Sequence, residues 1–432
     1  MNVVTQPAGA HSTSVPGLGT FAAGPTIGSD GTVYLGSLEG KVIALHADGT
    51  PYWNRELPPA SSEHIVTPIA VDADQSAYVV GVHTDAVVDH RAAAGSARFV
   101  AYRATLYKFT AGGGAPVGNS TPIPDLRPGS APGEFGPSFV GEPAIWQFDA
   151  DRAVIVPVGY PTLSGAELHM LAFSPGGGVM ADVTVGRWSS GDATGESDLW
   201  EYFAGFEPAP ISLTPTVLTT PIPGPSIFTN LLGGTPFITI ADPLQRDIVS
   251  YTFCVGAACS PAPGFTERVR IGSGGRTLLS GAVTLSDQHS VVGTDDGIVF
   301  GGPSLASADA LTGLGHVAVT PTQGFGYRLV LLNNDGVVAV MKDHTIVSRI
   351  SISGFPAARA AASRTNVFVA TNDGFHTLDA LAQTEVLNFP WNGVGVLPPA
   401  IGPDGRVYAM TANTLFIFPP PPGRRVFDPQ PI

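Results

Sequence analysis

Between Gly186 and Pro210 the chain reads GRWSSGDATGESDLWEYFAGFEPAP, which sets Trp188, Trp200, Tyr202, Phe203 and Phe206 among Asp192, Glu196, Asp198, Glu201 and Glu207, with Arg187 at the head. That mixture suits two kinds of ligand. The CH groups of a sugar stack on aromatic rings while carboxylates accept its hydroxyl hydrogens, and Trp and Tyr equally anchor protein interfaces. Rings folded back over a core would gain nothing from so many acids, which must stay hydrated. The stretch is therefore expected to be a recognition element with its rings partly exposed. Glycosidase chemistry would need two carboxyl groups at a fixed separation, which a linear stretch does not define.

Other chemistry is thinner. His83, Asp85, Asp89 and His90 in HTDAVVDH are metal-ligand types, but their spacing matches no standard site, and a solvated loop is expected. Asp72/Asp74 and Asp149/Asp151 recur at equivalent turns and would be the place for Ca2+. They lack the ligands that should follow, and Asp readily bonds its own backbone in turns. No metal site is expected. The chain shows neither HExxH nor a GxSxG elbow. Cys254 and Cys259, in CVGAAC, suit a short-loop disulfide that would point to an oxidising compartment, with two idle thiols as the alternative.

The elements that carry these groups are short strands. Gly24–Leu57 reads as four of them, punctuated by Asp30-Gly31, Glu39-Gly40 and Asp48-Gly49. Asp-Gly between alternating apolar runs signals a hairpin because its turn needs positive φ. The strand–turn–strand skeleton recurs at Thr67–Val82, Glu142–Gly159 and Pro398–Pro420, and three more times between them, with first-turn positions Asp287, Gly324, Arg364 and Asp404 about 40 residues apart. That is the period of a four-stranded propeller blade. Thr214–Gly272 is a degenerate unit, with TPFITIA and RDIVSYTFCV as its middle strands. The last unit shows only three strands, so the fourth is expected from Asn2–Gln6 or Arg425–Asp428, since an open edge invites aggregation.

The first unit resembles the repeat of the quinoprotein-like (PQQ-like) propellers, found in PQQ-dependent alcohol dehydrogenases and in the outer-membrane assembly lipoprotein propeller. The family's tryptophan-docking pattern is met by Ala44, Asp48, Gly49 and Trp53. With the repeat, the resemblance implies an all-β single β-propeller over residues 1–432, eight blades favoured and seven possible, with 419–432 as a tail. It implies fold and not activity. The family's dehydrogenases place an adjacent cysteine pair over their cofactor; here the cysteines are five apart and CxxCH is missing, so neither PQQ nor haem is expected.

Charge narrows the partners. A net charge of −14 argues against nucleic acid and anionic lipid. No apolar stretch is long enough to span a bilayer, and Met1–Gly19 carries no signal-peptide pattern. In a propeller, each connection from a fourth strand to the next first strand shares a face with the hairpins joining second and third strands. That puts the insertions 83–103, 120–141 and 186–210 on one face with His64, Arg359 and Trp391. The expected function is a non-catalytic, extracytoplasmic scaffold engaging protein or glycan through this face. A hydrolase or lyase with its site in the central funnel is the second reading, and a structural subunit of a larger assembly the third.

Overall fold

The structure, a computed structural model, describes residues 11–13, 19–58, 63–91, 98–113, 120–126, 136–137, 139–162, 165–189, 226–228, 237–242, 245–255, 259, 262–275, 278, 282–284, 290–294, 299–301, 314–321, 327–333, 335–342, 345–356, 359–391 and 397–420. Their regular structure is entirely strand. The strands form eight antiparallel sheets that follow one another along the chain. The first shows the pattern, with Thr26–Ile27, Val33–Gly36, Lys41–Leu45 and Pro51–Glu56 side by side in that order. Its two middle strands are buried almost throughout, while the fourth buries only Trp53. Middle strands covered on both faces read as continuous apolar runs; VYLG and KVIAL are such runs because neighbouring sheets pack on either side.

First strands meet around an axis. Thr26–Ile27 touches Ala70–Val71, then in turn come Ala144–Phe148, Ser226–Phe228, Val283–Thr284, Leu314–Pro321, Ala361–Ala362 and Leu397–Ile401, which returns to Thr26–Ile27. The contacts close into a cycle, and the fold is a β-propeller. His11–Thr13 completes the last sheet by pairing outside Thr414–Phe418, with Ser12 opposite Phe416. The closing strand thus comes from the N-terminal side, as one of the two expectations had it, but from residues further in than Asn2–Gln6. The degenerate unit keeps its expected middle strands, Phe237–Asp242 and Asp247–Cys254.

Aromatic side chains dock several sheets on the next. Trp53 lies opposite Ala44, stacks on Phe109 of the second sheet at 6.0 Å, and donates its Nε1–H to the Ala111 carbonyl at 3.0 Å. Gly113 has φ +64°, and a Cβ there would fall 2.3 Å from Trp53 Cγ, so glycine is required on both counts. Trp146 packs edge-on against Phe253 of the fourth sheet. Tyrosines add a second link: the Tyr34 hydroxyl donates to the Gln75 carbonyl at 3.3 Å, and that of Tyr408 to Ala47 at 2.9 Å, joining the last sheet to the first.

Outer strands share a further device. The register between third and fourth strands shifts by one residue in five of the described sheets, at Tyr52, Met180, Arg268, Val347 and Val386, and in the third sheet a second time at Val185. Each of the first five is a β-bulge opposite the same stretch of its third strand. Bulges twist an open edge away from further strand pairing. They also account for three of the exposed large apolar residues, Tyr52, Val347 and Val386.

Candidate functional site

Hydrogen bonds place the hairpins and connections on one face. Where the second and third strands of the first sheet join, the Ser37 carbonyl accepts from Ile65 N and that of Gly40 from Leu57 N. Phe355 N donates to Asn372 Oδ1, Asn372 N to the Phe355 carbonyl, and Trp391 N to that of Asp373. Each hairpin is therefore stitched to the connections beside it. Buried small polar residues recur at the end of the second strand: Ser37, Asp242, Thr294, Asn333, Thr371 and Thr411. Most cap the hairpin that follows, as Asn333 Oδ1 does by accepting from Asp335 N and Val337 N.

The insertions are more regular than the sequence suggested. Residues 83–91 and 98–103 continue the strands Ala77–Arg91 and Arg98–Phe109 as a ribbon, with Asp89 opposite Val100, His90 opposite Phe99, and an irregularity between His83 and Val88. This corrects the expected loop, because ladder pairing carries both strands outward beyond the blade. The side chains of Asp85, Asp89 and His90 lie outside the described residues. Within 120–141, Thr121–Pro122 is the fourth strand of the second sheet and Phe139–Val140 pairs Gly159 and Val158 of the third. The head of 186–210 belongs to strand Val179–Ser189, with Arg187 opposite Glu167 and Trp188 opposite Ala166. Arg187 Nε sits 3.3 Å from Glu167 Oε1. Asp192, Glu196, Asp198, Trp200, Glu201 and Tyr202, and the Trp188 side chain, lie outside the described residues.

Three expected ligand groups are described in full. His64 is half-buried, and its Nδ1 meets the Leu38 carbonyl across the seam between the first two sheets. Trp391 is buried, donates its Nε1–H to the Thr371 carbonyl at 2.8 Å and lies on Phe416 at 5.1 Å. Its ring packs on the next sheet as that of Trp53 does, but its indole bond stays within its own sheet; its backbone lies on the expected face while the ring is buried, which corrects it as a ligand-contacting residue. Arg359 is half-exposed, and its Nη2 donates to Glu142 at 3.1 Å from Oε1 and 3.4 Å from Oε2. Nothing local in the sequence marks this pair, whose members are 217 residues apart. Glu142 leads into the first strand of the third sheet and Arg359 into that of the seventh. These strands are four steps apart either way round the cycle, so the pair spans the axis at the mouth of the channel.

Electrostatics elsewhere is structural. His169 is buried, with Nδ1 2.8 Å from Asp182 Oδ1 and Nε2 3.1 Å from Glu167 Oε2. Burial works to lower its pKa, but the hydrogen bonds and charges of Asp182 and Glu167 outweigh it and leave the pKa raised. With a carboxyl oxygen at each ring nitrogen, the geometry favours the form in which both nitrogens donate. Asp242, fully buried, faces Arg270 at 3.5 Å, and Arg270 also donates to the Val185 carbonyl, tying the fourth sheet to the third just before Gly186. Asp72 pairs with Arg152 at 3.0 Å, Asp74 Oδ1 accepts from Ser76 N, and Asp149 adopts φ 52°; these acids build turns and a seam between sheets.

One constellation has the outline of a nucleophilic relay. Thr371 Oγ1 lies 3.0 Å from His376 Nε2, whose Nδ1 lies 2.6 Å from Glu385 Oε1. Thr371 and His376 are wholly buried, and the hydroxyl is already engaged by Asp373 Oδ1 at 2.7 Å. A substrate carbonyl has no approach, and the relay is a hairpin cap. Among the described residues no group of three His, Cys, Asp or Glu could hold a metal ion. Cys254 and Cys259 form a disulfide, with 5.8 Å between their Cα atoms, that ties the end of strand Asp247–Cys254 to a residue ahead of strand Gly264–Gly272.

Solved structures share this architecture. BamB from Moraxella catarrhalis superimposes with a TM-score of 0.51 over 96% of this chain and 99% of its own, at 13% identity. The computationally designed Ika8 protein superimposes with a TM-score of 0.54 over 93% and 96%, at 12% identity. At the level of fold the chain resembles the PQQ-like repeat propellers. No protein-family model and no curated protein sequence matches it.

Proposed function

We propose that the chain is a binding scaffold whose eight sheets are each one blade, and that it engages a protein or glycan through the face bearing the three insertions. The observation that carries this reading is the contrast between the two parts of the molecule a ligand could use. Described first strands around the axis are built largely from small or apolar uncharged residues such as Thr26, Ile27, Ala70, Val71, Ala144, Ala361 and Ala362, with His316 the titratable residue among them. The hairpin face carries the ribbon, the exposed Phe355 and the head of the aromatic–acidic stretch. Bulged outer strands leave the rim poorly suited to strand addition, which directs recognition to the face. The disulfide supports an extracytoplasmic setting. Among the described residues no helix is long and apolar enough to cross a membrane.

Deleting Ser189–Phe206 tests the proposal. The expected outcome is a melting temperature within a few degrees of the parent and loss of binding, read in parallel on a glycan array and by cross-linking to co-purifying proteins. An unfolded deletion variant would make the stretch part of the core and end the reading.

A further inference from the structure

The cross-axis pair is an incomplete use of an arginine. A guanidinium offers five N–H donors in a planar fork, and its strongest carboxylate geometry is two parallel bonds from two nitrogens. Here both Glu142 oxygens fall on the single nitrogen Nη2, at 3.1 and 3.4 Å. Among the described residues Nε and Nη1 of Arg359 have no acceptor, and about half the side chain is exposed. Glu142 thus holds the charge without occupying the fork. A part-exposed ion pair of this kind contributes little, because solvent screens it, so a better-placed carboxylate can displace it.

The same connection carries an apolar anchor. Phe355, four residues before Arg359, is 65% exposed, the most exposed of the large apolar residues described. Its backbone is fixed on both sides, by Asn372 Oδ1 at its N–H and Asn372 N at its carbonyl, and Pro356 bridges to Thr371. A ring held in water by a rigid backbone loses little entropy when a partner covers it. Four residues of chain span at most about 14 Å, so ring and guanidinium lie within reach of one small ligand.

Net charge selects among carboxylate ligands. At −14 the protein repels polyanions at long range. A single carboxylate beside an apolar side chain avoids that penalty and matches both groups. We propose that Arg359 and Phe355 receive the free C-terminal end of a polypeptide ending in an apolar residue, and that Glu142 stands in for its carboxylate while the site is empty. This rests on the protein-binding form of the scaffold reading and adds a ligand class to it.

The test uses a fluorescein-labelled hexapeptide ending in Phe-Leu, as the free acid and as the C-terminal amide, titrated into the full chain by fluorescence anisotropy. The free acid should bind at least about tenfold tighter than the amide, the worth of one charge-assisted pair. Glu142→Gln should tighten the acid and leave the amide unchanged. Arg359→Gln should erase the difference, and Phe355→Ala should weaken both forms. Circular dichroism melts of each variant confirm folding. Equal binding of acid and amide by the parent and by Glu142→Gln, or no binding by either, overturns the proposal. The scaffold reading is judged separately by the Ser189–Phe206 deletion, which leaves Arg359, Glu142 and Phe355 in place.

Discussion

Three tyrosines at the same position of the second strand give the seam between sheets a graded test. Tyr408 donates to the Ala47 carbonyl at 2.9 Å, Tyr34 to that of Gln75 at 3.3 Å, and the Tyr78 hydroxyl is buried with no hydrogen-bond partner among the described residues. Burial pushes the phenols of Tyr34 and Tyr408 up to about 12, so both stay protonated donors across the neutral range. Replacing Tyr by Phe removes one oxygen and leaves the ring packing. A net intramolecular hydrogen bond contributes about 0.5–1.5 kcal/mol, while an unsatisfied buried hydroxyl costs about 1–3 kcal/mol to bury. Tyr408→Phe should therefore destabilise by about 1–1.5 kcal/mol and Tyr34→Phe, with its longer bond, by about 0.5–1 kcal/mol. Tyr78→Phe should be neutral or stabilising by up to about 1 kcal/mol. Guanidinium unfolding followed by circular dichroism, compared at constant m, reads the order. A Tyr78→Phe loss equal to that of Tyr408→Phe would refute the assignment of the seam to these hydroxyls.

Further outcomes follow from the same geometry. Trp53→Ala should cost about 3–5 kcal/mol through the cavity beside Phe109, whereas Trp53→Phe, which forfeits mainly the Ala111 bond, should cost much less; equal losses in guanidinium unfolding would contradict the docking role. The raised pKa of His169 means that its contribution to stability is fully present below the unfolded value of about 6.5 and is lost as pH rises through the folded value. The melting-temperature gap between the parent and His169→Gln should accordingly shrink from pH 6 to pH 9, and a gap that widens would reverse the sign. Thiol titration of the unfolded, unreduced chain should find no free sulfhydryl, and reduction should leave the fold intact, because closing so short a loop removes little chain entropy.

What could be read from the sequence was what repeats locally. Asp30-Gly31 and Asp48-Gly49 announce turns because positive φ selects their glycines, at 86° and 84°, and the runs between them are strands because both faces are covered. Even the degenerate unit yielded its middle strands. The closing strand His11–Thr13 did not stand out, since three residues pairing one edge leave no periodicity. The burial of the Trp391 ring was not legible because it follows its fourth strand directly, without the Ala and Asp-Gly spacing that marks Trp53. The recurring polar residue ending the second strand, from Ser37 to Thr411, was a signal in plain view: one small polar side chain closing the apolar run in six of the eight sheets. Arg359 and Glu142 meet only because the ring closes, and no local pattern encodes that. The aromatic–acidic stretch beyond Ser189 stands on its composition alone.

The claim that recognition runs through the hairpin face can be measured directly by placing a photo-cross-linking amino acid at one position at a time. Glu39 and Phe355 sample that face, and Asp30 and Asp48, exposed in the turns at the other ends of the strands, sample the opposite one. The four variants are irradiated in the producing cell, and adducts are compared with and without the Ser189–Phe206 deletion. The account requires adducts from positions 39 and 355 that vanish with the deletion, and none from 30 or 48. Adducts confined to positions 30 and 48, indifferent to the deletion, would contradict it.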